Sequence, residues 1–267
     1  MCGIDAVYGK NAVLKALLIT LGQIERGDKG TGVAYMCNGE IKVLKEPISP
    51  IKFFAKHYKT INVNSRVAIA HNRMPSRGKV VYENTHPFLA CDGSFALAHN
   101  GTSWNDDEKE YLRMLGHEIK GETDSEILTH ILEEYYKATN DYVQALEKLV
   151  NYNLDGAIVV LTKNGEIYAT KKGFMPLNYV EVEGDIYVAS SPQAIANIVN
   201  TGVKYEINRV KSKQILRISR KGKTELIGKG EEDYLGFLEK YLYNSSKTKS
   251  AVYWRDPETG EWHYYTQ

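Results

Sequence analysis

The sequence predicts an α+β fold in which antiparallel sheets pack against groups of helices. Short strand-like runs come in pairs around turn residues, as on either side of Asn38-Gly39 and of Lys221-Gly222. Segments with helical spacing are grouped between these pairs. They do not alternate with single strands, which argues against a regular parallel βαβ array.

Apolar residues at helical spacing predict the helices, as with Val13, Leu14, Leu17, Leu18 and Leu21. The predicted helices are residues 11–24, 50–58, 106–115, 125–138 (with Asp124 as its cap), 141–152, 192–199 and 231–243. The predicted strands are residues 1–8, 33–36, 41–44, 65–71, 95–99, 157–162, 166–170, 177–182, 185–189, 214–219 and 224–227. Residues 26–32 form a glycine-rich turn, and residues 72–85 have no periodicity and are predicted to be a loop.

The end of the chain is predicted to be an extension to the main domain. Residues 244–247 resemble a linker, and residues 252–265 are predicted to form a hairpin whose arms carry four aromatic side chains, Tyr253, Trp254, Trp262 and Tyr264. We therefore divide the chain into a domain of residues 1–228 and an extension of residues 229–267. The extension comprises the helix 231–243 and the aromatic hairpin, which is a candidate docking surface.

Composition indicates a globular protein without a charged macromolecule as its main partner. The chain has 267 residues, a net charge of +1, 43% hydrophobic residues and 25% charged residues. Near-zero charge gives no reason to expect a nucleic acid or an acidic membrane. The apolar run from Ala16 to Ile19 is too short to span a bilayer, and no signal peptide is evident. A cytoplasmic location is expected.

The three cysteines, Cys2, Cys37 and Cys91, do not suggest a disulfide framework. No cysteine pair has metal-ligand spacing, and no two histidines stand at i, i+4 with a glutamate between them. The sequence therefore predicts no metal site. It also predicts that Cys37 and Cys91 are ordinary thiols.

Cys2 is the strongest candidate for a catalytic residue. A thiol is the best neutral-pH nucleophile among side chains. If Met1 were removed, the α-amino group of Cys2, with a pKa of about 7.7–8.0, would be available as the general base. Gly3 beside it permits close approach of the backbone and a substrate. A cysteine at this position is weak evidence when it stands alone.

Several short motifs follow Cys2 in order along the chain. They are residues 1–4 (Met-Cys-Gly-Ile), 26–32 (Arg-Gly-Asp-Lys-Gly-Thr-Gly), 71–78 (His-Asn-Arg-Met-Pro-Ser-Arg-Gly), 84–88 (Asn-Thr-His-Pro-Phe), 98–102 (Ala-His-Asn-Gly-Thr) and 122–126 (Glu-Thr-Asp-Ser-Glu). Together they resemble the motifs of class II glutamine amidotransferases over roughly the first 200 residues. The resemblance implies the N-terminal-nucleophile hydrolase fold, a four-layer αββα sandwich.

The resemblance also implies a reaction. Cys2 would attack the side-chain amide of L-glutamine and form a γ-glutamyl thioester, which water hydrolyses to glutamate. Asn100 and Gly101 would stabilise the oxyanion of the tetrahedral intermediate. Arg26 would help to hold Cys2. No metal or organic cofactor would be needed.

Substrate recognition is implied for four further residues. Arg73 would bind the α-carboxylate of glutamine, and Ser76 would add a hydroxyl to the same group. Asp124 would bind the α-ammonium group, and His86 would help to shape the loop around glutamine. His71 and His99 are expected to be structural.

The sequence departs from the family motifs at two places. Met74, Pro75 and Arg77 replace or vary residues of the loop that contacts glutamine, which leaves affinity and substrate choice open. Lys29 and Gly30 stand where the family turn has Asp and Ser, which weakens the expected support for Arg26.

The partner of the reaction is the least determined feature of the sequence. About 65 residues follow the matched region, fewer than the synthase domain that such domains normally accompany. Ammonia would then pass to a separately encoded acceptor enzyme, and homo-oligomer formation is left open. Two alternatives are an N-terminal-nucleophile amidase for another amide and a non-catalytic regulatory subunit that retains the fold.

Overall fold

The computed structural model describes residues 1–59, 61, 64–105, 107–199 and 202–231 with their side chains, and the backbone of two later strands. The strands in chain order are β1 Gly3–Tyr8, β2 Thr31–Cys37, β3 Glu40–Glu46, β4 Val67–Asn72, β5 Phe88–Leu89, β6 Phe95–Gly101, β7 Gly156–Thr162, β8 Ile167–Lys172, β9 Asn178–Val182, β10 Asp185–Ala189, β11 Tyr205–Arg209, β12 Ile215–Ile218, β13 Thr224–Ile227, β14 Ala251–Arg255 and β15 Trp262–Thr266. The helices are α1 Ala12–Gly22, α2 Pro50–His57, α3 Glu108–Met114, α4 Asp124–Thr139, α5 Tyr142–Tyr152 and α6 Pro192–Ala196, and a 3₁₀ turn spans Ile24–Arg26.

These strands form two antiparallel sheets. One sheet has the order β15-β14-β11-β9-β10-β1-β4-β2-β3, and the other has the order β13-β12-β8-β7-β6-β5. The hairpin turn at Asn38 and Gly39 has φ values of 52° and 79°, the left-handed conformation that a two-residue turn requires. Most of the strands predicted from sequence are therefore confirmed.

Three apolar cores separate four layers. Ile4 and Ile69 of the nine-stranded sheet pack between the sheets with Val159 of the other sheet. On the outer face of the nine-stranded sheet, a core formed with α1, α2 and α6 includes Leu17 and Phe53. The outer face of the six-stranded sheet shares a core with α3, α4 and α5 that contains Leu97, Leu112, Leu128 and Leu146. The αββα sandwich is confirmed.

Two strands and one helix cap differ from the sequence predictions. Strand β5 has two residues, too few for a periodic pattern, and β11 has a mixed polar sequence that pairs with β9 and β14. Asp124 was expected to cap α4 but is its first residue. Thr123 is the cap, and its hydroxyl accepts a hydrogen bond from the Glu126 backbone N–H at 3.4 Å. The Asp124 carboxylate is thereby free to make contacts outside the helix.

Two strands, β14 and β15, lie where the aromatic hairpin was predicted; they pair with each other, and β14 also pairs with β11. Glu231, the first residue of the helix predicted at 231–243, forms an isolated β-bridge with Ser212. The rest of that helix, the turn at 257–260 and the aromatic side chains lie outside the described residues. The proposed boundary after residue 228 stays a prediction.

All three cysteines are free. In the part of the chain with described coordinates, no helix combines the length and hydropathy needed to cross a bilayer.

The cap of α5 gives a test of the helical layer. The Asp141 carboxylate accepts hydrogen bonds from the N–H groups of Val143 at 2.7 Å and Gln144 at 3.3 Å. We expect Asp141→Ala to lower the free energy of unfolding by about 1 kcal/mol, measured by urea denaturation. Glu147→Ala, at an exposed position of the same helix, is the control. Equal losses for the two variants would contradict a capping role.

Candidate active site

Three neighbouring strands of the larger sheet have chain ends that lie side by side at one end of the strands. Cys2 precedes β1, Arg73 follows β4, and Gly30 precedes β2. Because β4 runs antiparallel to both neighbours, its last residue lies beside their first residues, and Gly3 pairs with Asn72. Residues far apart in sequence therefore meet at this end of the sheet.

A small cleft opens at this end of the sheet. It is lined by Cys2, Arg73, Met74, Pro75, Ser76, Arg77, His86, His99, Gly101, Thr123, Asp124 and Ser125. Six of the eight predicted site residues are thus in the lining, while Asn100 and Arg26 are not. Within the described part of the chain, the one group of His, Cys, Asp and Glu side chains close enough to share a metal ion lies outside this lining.

The Cys2 sulfur lies against the backbone of Met74. The Met74 N–H donates to Sγ at 3.3 Å, and the Met74 carbonyl oxygen is 3.4 Å from Sγ. Burial raises the pKa of the Cys2 thiol, while the Met74 backbone, the amino terminus, Arg73 and Arg26 act in the opposite direction. The protonated thiol is therefore the main form at neutral pH, and forming the thiolate requires a base.

The turn after α1 supports Cys2 through the Arg26 side chain and supports Arg73 through its own backbone. Arg26 Nε donates to the Cys2 carbonyl oxygen at 3.0 Å. The Lys29 N–H donates to the Arg73 carbonyl at 3.0 Å, and the Arg73 N–H donates to the Gly30 carbonyl at 2.8 Å. Since Lys29 and Gly30 act through backbone atoms, their departure from the family motif leaves these contacts intact.

Arg73 is buried, and its guanidinium group is held by its own loop. Nη1 donates to the Lys79 carbonyl at 2.7 Å, and Nη2 donates to the carbonyls of Arg77 at 2.6 Å and Gly78 at 3.3 Å. Burial lowers the pKa of Arg73, and Cys2, Glu122 and Asp124 act in the opposite direction. A guanidinium has five N–H donors, so these three bonds leave donors for a ligand.

Asn84 and Glu122 clamp the loop that follows Arg73. Glu122 Oε2 accepts hydrogen bonds from the Lys79 N–H and from Asn84 Nδ2, both at 3.0 Å. The Glu122 N–H donates to Asn84 Oδ1 at 2.7 Å. Both residues stand in the sequence motifs, yet sequence reasoning assigned them no role. Their presence in two motifs that flank the loop was the available signal.

Asp124 is the first residue of α4 and lines the cleft together with Cys2. Its Oδ2 accepts a hydrogen bond from the Ser103 N–H at 2.6 Å and is 4.0 Å from His99 Nδ1. The residue is 5% exposed. The carboxylate therefore presents a fixed negative charge to the cleft from the smaller sheet and its helices.

Asn100 and Gly101 lie at the end of β6. Asn100 is buried, and its Nδ2 has no hydrogen-bond partner among the described residues. A Cβ on Gly101 would lie 2.1 Å from the Asp155 carbonyl oxygen, so only glycine fits between β6 and β7. The end of β6 thus combines the unpaired Asn100 side-chain amide with the Gly101 backbone, which lies close to the Asp155 carbonyl oxygen.

Three buried histidines connect the two sheets next to the cleft, and two of them, His86 and His99, line it. The rings of His71 and His86 stack at 3.9 Å between centroids. His71 Nε2 donates to the His99 carbonyl at 3.2 Å, and His86 Nδ1 accepts from the His99 N–H at 3.3 Å. Burial lowers the pKa of His71 to about 3 and that of His86 well below its usual value. Both rings are therefore neutral at pH 7.

Met74, Pro75 and Arg77, which depart from the family motif, all line the cleft. Met74 is 38% exposed and contacts Cys2 through its backbone, which any residue other than proline could reproduce. Ser76 is exposed in the lining, and the Arg77 guanidinium lies 5.7 Å from the centroid of the exposed Trp104 ring. Sequence reasoning missed His99, Thr123 and Ser125 as lining residues, because their neighbours carried the expected polar chemistry.

The family model described as glutamine amidotransferases class-II matches residues 14–214. The chain belongs to the class II glutamine amidotransferases. Among curated relatives of this amidotransferase chain, the glutamine–fructose-6-phosphate aminotransferases of Sulfurisphaera tokodaii and Thermotoga maritima are 31% and 34% identical, over 71% and 65% of the chain and 33% and 29% of their own length. The amidophosphoribosyltransferase of Methanocaldococcus jannaschii is 28% identical over 74% of the chain and 44% of its own length.

Solved structures support the fold of this amidotransferase chain. The glutamine phosphoribosylpyrophosphate amidotransferase from B. subtilis superposes with a TM-score of 0.72 at 22% identity, over 86% of this chain and 50% of that one. A glutamine aminotransferase class-II domain protein from silicibacter pomeroyi superposes with a TM-score of 0.57 over 86% of this chain and 100% of that one. The chain spans about one third of the length of the first curated relatives it matches.

The stacked histidines of this amidotransferase predict a pH-dependent stability. An unfolded histidine has a pKa of about 6.5, so as the pH falls from about 6.5 toward 3 the unfolded chain binds a proton that buried His71, with its pKa of about 3, does not. Buried His86, whose pKa is also lowered, acts in the same direction. The free energy of unfolding should therefore fall as the pH decreases through this range, by at most about 1.4 kcal/mol per pH unit for each histidine.

The measurement is urea denaturation from pH 7 to pH 4, comparing wild-type protein with His71→Phe. The variant removes one titrating group, and its free energy of unfolding should have a smaller slope against pH. Comparing slopes separates titration from the loss of the hydrogen bond to His99, which acts at every pH. Identical slopes would contradict the assignment.

Proposed function

We propose that this chain hydrolyses the side-chain amide of glutamine to glutamate and ammonia, with Cys2 as the nucleophile. The observation that carries the proposal is the cleft in which the Cys2 thiol, the Arg73 guanidinium and the Asp124 carboxylate occur together. Their chemistry matches the reacting amide and the two charged ends of an amino acid. Family membership supports the same reaction.

Arg73 and Asp124 supply the charges that an amino-acid zwitterion needs. The remaining N–H donors of Arg73 would bind the α-carboxylate in a charge-assisted hydrogen bond, with the Ser76 hydroxyl as a further donor. Asp124, fixed by the Ser103 N–H, would bind the α-ammonium group. His86 would contribute to the wall of the cleft as a neutral ring. These contacts would orient the substrate with its side-chain amide toward Cys2.

Cys2 needs a base, because burial disfavours its thiolate. Removal of Met1 would place a free α-amino group on the same residue, with a pKa of about 7.7–8.0 in model peptides. This amine would accept the thiol proton as the thiolate forms. Arg26, bonded to the Cys2 carbonyl, would hold the new amino-terminal residue in position.

The thiolate would attack the amide carbon, and the carbonyl π electrons would move to oxygen. The unpaired Asn100 Nδ2 and the Gly101 backbone N–H would stabilise this oxyanion. When the tetrahedral intermediate collapses, the C–N bond breaks and the protonated α-amine of Cys2 donates its proton to the leaving nitrogen. Ammonia then departs. Water would then attack the γ-glutamyl thioester, transfer a proton to the α-amine, and release glutamate and the Cys2 thiol.

We infer that the ammonia is delivered to an acceptor enzyme, supplied separately from the described residues. The names of the curated relatives, an aminotransferase of fructose 6-phosphate and an amidophosphoribosyltransferase, pair the amide donor with a second substrate. The chain matches only a part of each relative. The test is co-purification of the untagged chain from its native cells. Full glutaminase activity with no co-purifying enzyme would count against this inference.

Cys2→Ala tests the nucleophile. We expect the rate of ammonia release from glutamine to fall by at least about 10³-fold, because the thioester can no longer form. Cys37→Ala, which alters a thiol on β2 outside the cleft, is the matched control and should retain the wild-type rate. Mass spectrometry of the wild-type protein should find Met1 absent and one covalent adduct on Cys2 after treatment with a diazoketone analogue of glutamine.

Three outcomes would contradict the proposal. Retention of Met1 on active protein would exclude the amino-terminal base. Undiminished ammonia release by Cys2→Ala would exclude the nucleophile. Absence of both labelling and amide cleavage in the wild-type chain would favour a regulatory subunit that retains the fold.

Arg73→Lys and Asp124→Asn test substrate recognition with two truncated substrates. The amide 4-aminobutanamide is glutamine without its α-carboxylate, and glutaramate is glutamine without its α-amine. We expect Arg73→Lys to raise KM for glutamine by about 10- to 100-fold and to leave KM for 4-aminobutanamide nearly unchanged. We expect Asp124→Asn likewise to raise KM for glutamine and to leave KM for glutaramate nearly unchanged.

Steady-state ammonia release at several substrate concentrations provides the measurement. Equal effects of each substitution on glutamine and on the matching truncated substrate would contradict the two assigned contacts. Faster cleavage of asparagine or of an acylated amide than of glutamine by the wild-type chain would favour the alternative of an amidase for another substrate.

A further inference from the structure

A second cluster of reactive side chains lies outside the cleft. It comprises Cys91 in the turn after β5, His117 in the connection between α3 and α4, and His130 and Glu133 on α4. One donor atom from each residue lies within 4.8 Å of all the others. His117, His130 and Glu133 are at most 5% exposed, whereas Cys91 is exposed. The mechanism proposed for glutamine uses none of these residues.

We propose that Cys91, His117, His130 and Glu133 form a tetrahedral Zn²⁺ site. Cys91 Sγ is 3.4 Å from His117 Nδ1 and 3.6 Å from His130 Nδ1. Glu133 Oε2 is 3.4 Å from His117 Nδ1 and 3.3 Å from His130 Nδ1. Zinc–ligand bond lengths in a tetrahedron place sulfur and nitrogen about 3.6 Å apart and nitrogen and oxygen about 3.3 Å apart. Four of the six donor–donor distances thus match ligands around one ion, and the other two are at most 4.8 Å.

The donor set favours zinc over a hard cation. Thiolate and imidazole ligands select zinc and similar transition metals, whereas calcium and magnesium require oxygen ligands. One thiolate, one carboxylate and two neutral imidazoles also balance the two positive charges of the ion. Charge balance is needed here, because three of the ligands are buried.

Neighbouring groups orient the ligands. His117 Nε2 lies 2.9 Å from Glu134 Oε1, so an N–H on Nε2 directed at this carboxylate leaves the Nδ1 lone pair facing the cluster. Lys137 is 2.7 Å from the same oxygen of Glu134. The Cys91 backbone N–H donates to Glu133 Oε2 at 3.1 Å and fixes that carboxylate. Such outer contacts are typical of built metal sites.

The site has the character of a structural centre. Four protein ligands fill a tetrahedron and leave no position for a reacting water. The ion would join the β5–β6 turn, the α3–α4 connection and α4. Asp124 begins α4, about 9 Å along the axis from His130. The ion would therefore hold the helix that positions Asp124 at the cleft and the connection that positions Glu122 against the loop after Arg73.

Metal analysis of the untagged full-length chain tests the site. After dialysis against a chelating resin, elemental analysis should find one zinc per chain. Exchange with Co²⁺ should give the visible bands of tetrahedral cobalt and a thiolate-to-cobalt charge-transfer band in the near ultraviolet. Zinc should raise the Tm of the chelator-treated protein. These readouts are independent of glutamine hydrolysis, so the proposed activity can fail without affecting them.

Variants assign the ligands. Cys91→Ser should abolish the charge-transfer band and His130→Asn should reduce the zinc content, whereas Cys37→Ser should retain both. Glu134→Gln should weaken zinc affinity by about 10- to 100-fold, as expected for a group that orients a ligand. If the ligand variants fail to fold, the cobalt spectrum of the wild-type chain decides the proposal.

Two outcomes would overturn the proposal. The first is a wild-type chain that binds neither zinc nor cobalt after dialysis and whose Tm does not respond to them, which would leave a hydrogen-bonded polar cluster. The second is a folded Cys91→Ser variant with unchanged zinc content and an unchanged cobalt spectrum.

Discussion

The antiparallel pairing of β1 with β4 and of β4 with β2 is the constraint on which the cleft depends. It places the residue before β1 beside the residues after β4, so that Met74 contacts the sulfur of Cys2 across 72 positions of sequence. Two backbone hydrogen bonds join Arg73 to the turn before β2. Because the backbone makes these contacts, the cleft tolerates the unusual side chains at Lys29, Gly30 and Met74.

The smaller sheet and α4 supply the other half of the cleft. Asn100 and Gly101 end β6, and Asp124 begins α4, where Thr123 caps the helix. The Asp124 carboxylate therefore bonds to the Ser103 N–H and leaves the capping of α4 to Thr123. One helix thus carries a charge toward the cleft at its first residue and two of the four ligands of the proposed zinc site, His130 and Glu133, in later turns. Any event that moves α4 would affect both.

Local patterns predicted most of the elements. Asn38-Gly39 specifies its hairpin because both residues readily adopt positive φ, and Asp141 caps α5 because its carboxylate reaches the first free N–H groups. Local patterns are insufficient where several residues compete or where a segment is too short. Thr123, Asp124 and Ser125 are all residue types that cap helices, and only the chain path selects among them. The two residues of β5 acquire strand structure from β6 alone.

Periodicity and turn residues predicted the α+β fold, and the order of the short motifs predicted the αββα sandwich and six residues of the cleft lining, because each of these patterns lies within a few neighbouring residues. Which distant groups meet depends on long-range contacts that no such pattern contains. Asn84 and Glu122 clamp the loop across 38 positions, and Cys91 meets His130 across 39. No spacing rule reveals the latter cluster, since its ligands come from three segments. Long-range strand pairing and helix packing, which bring such segments together, have no local signature.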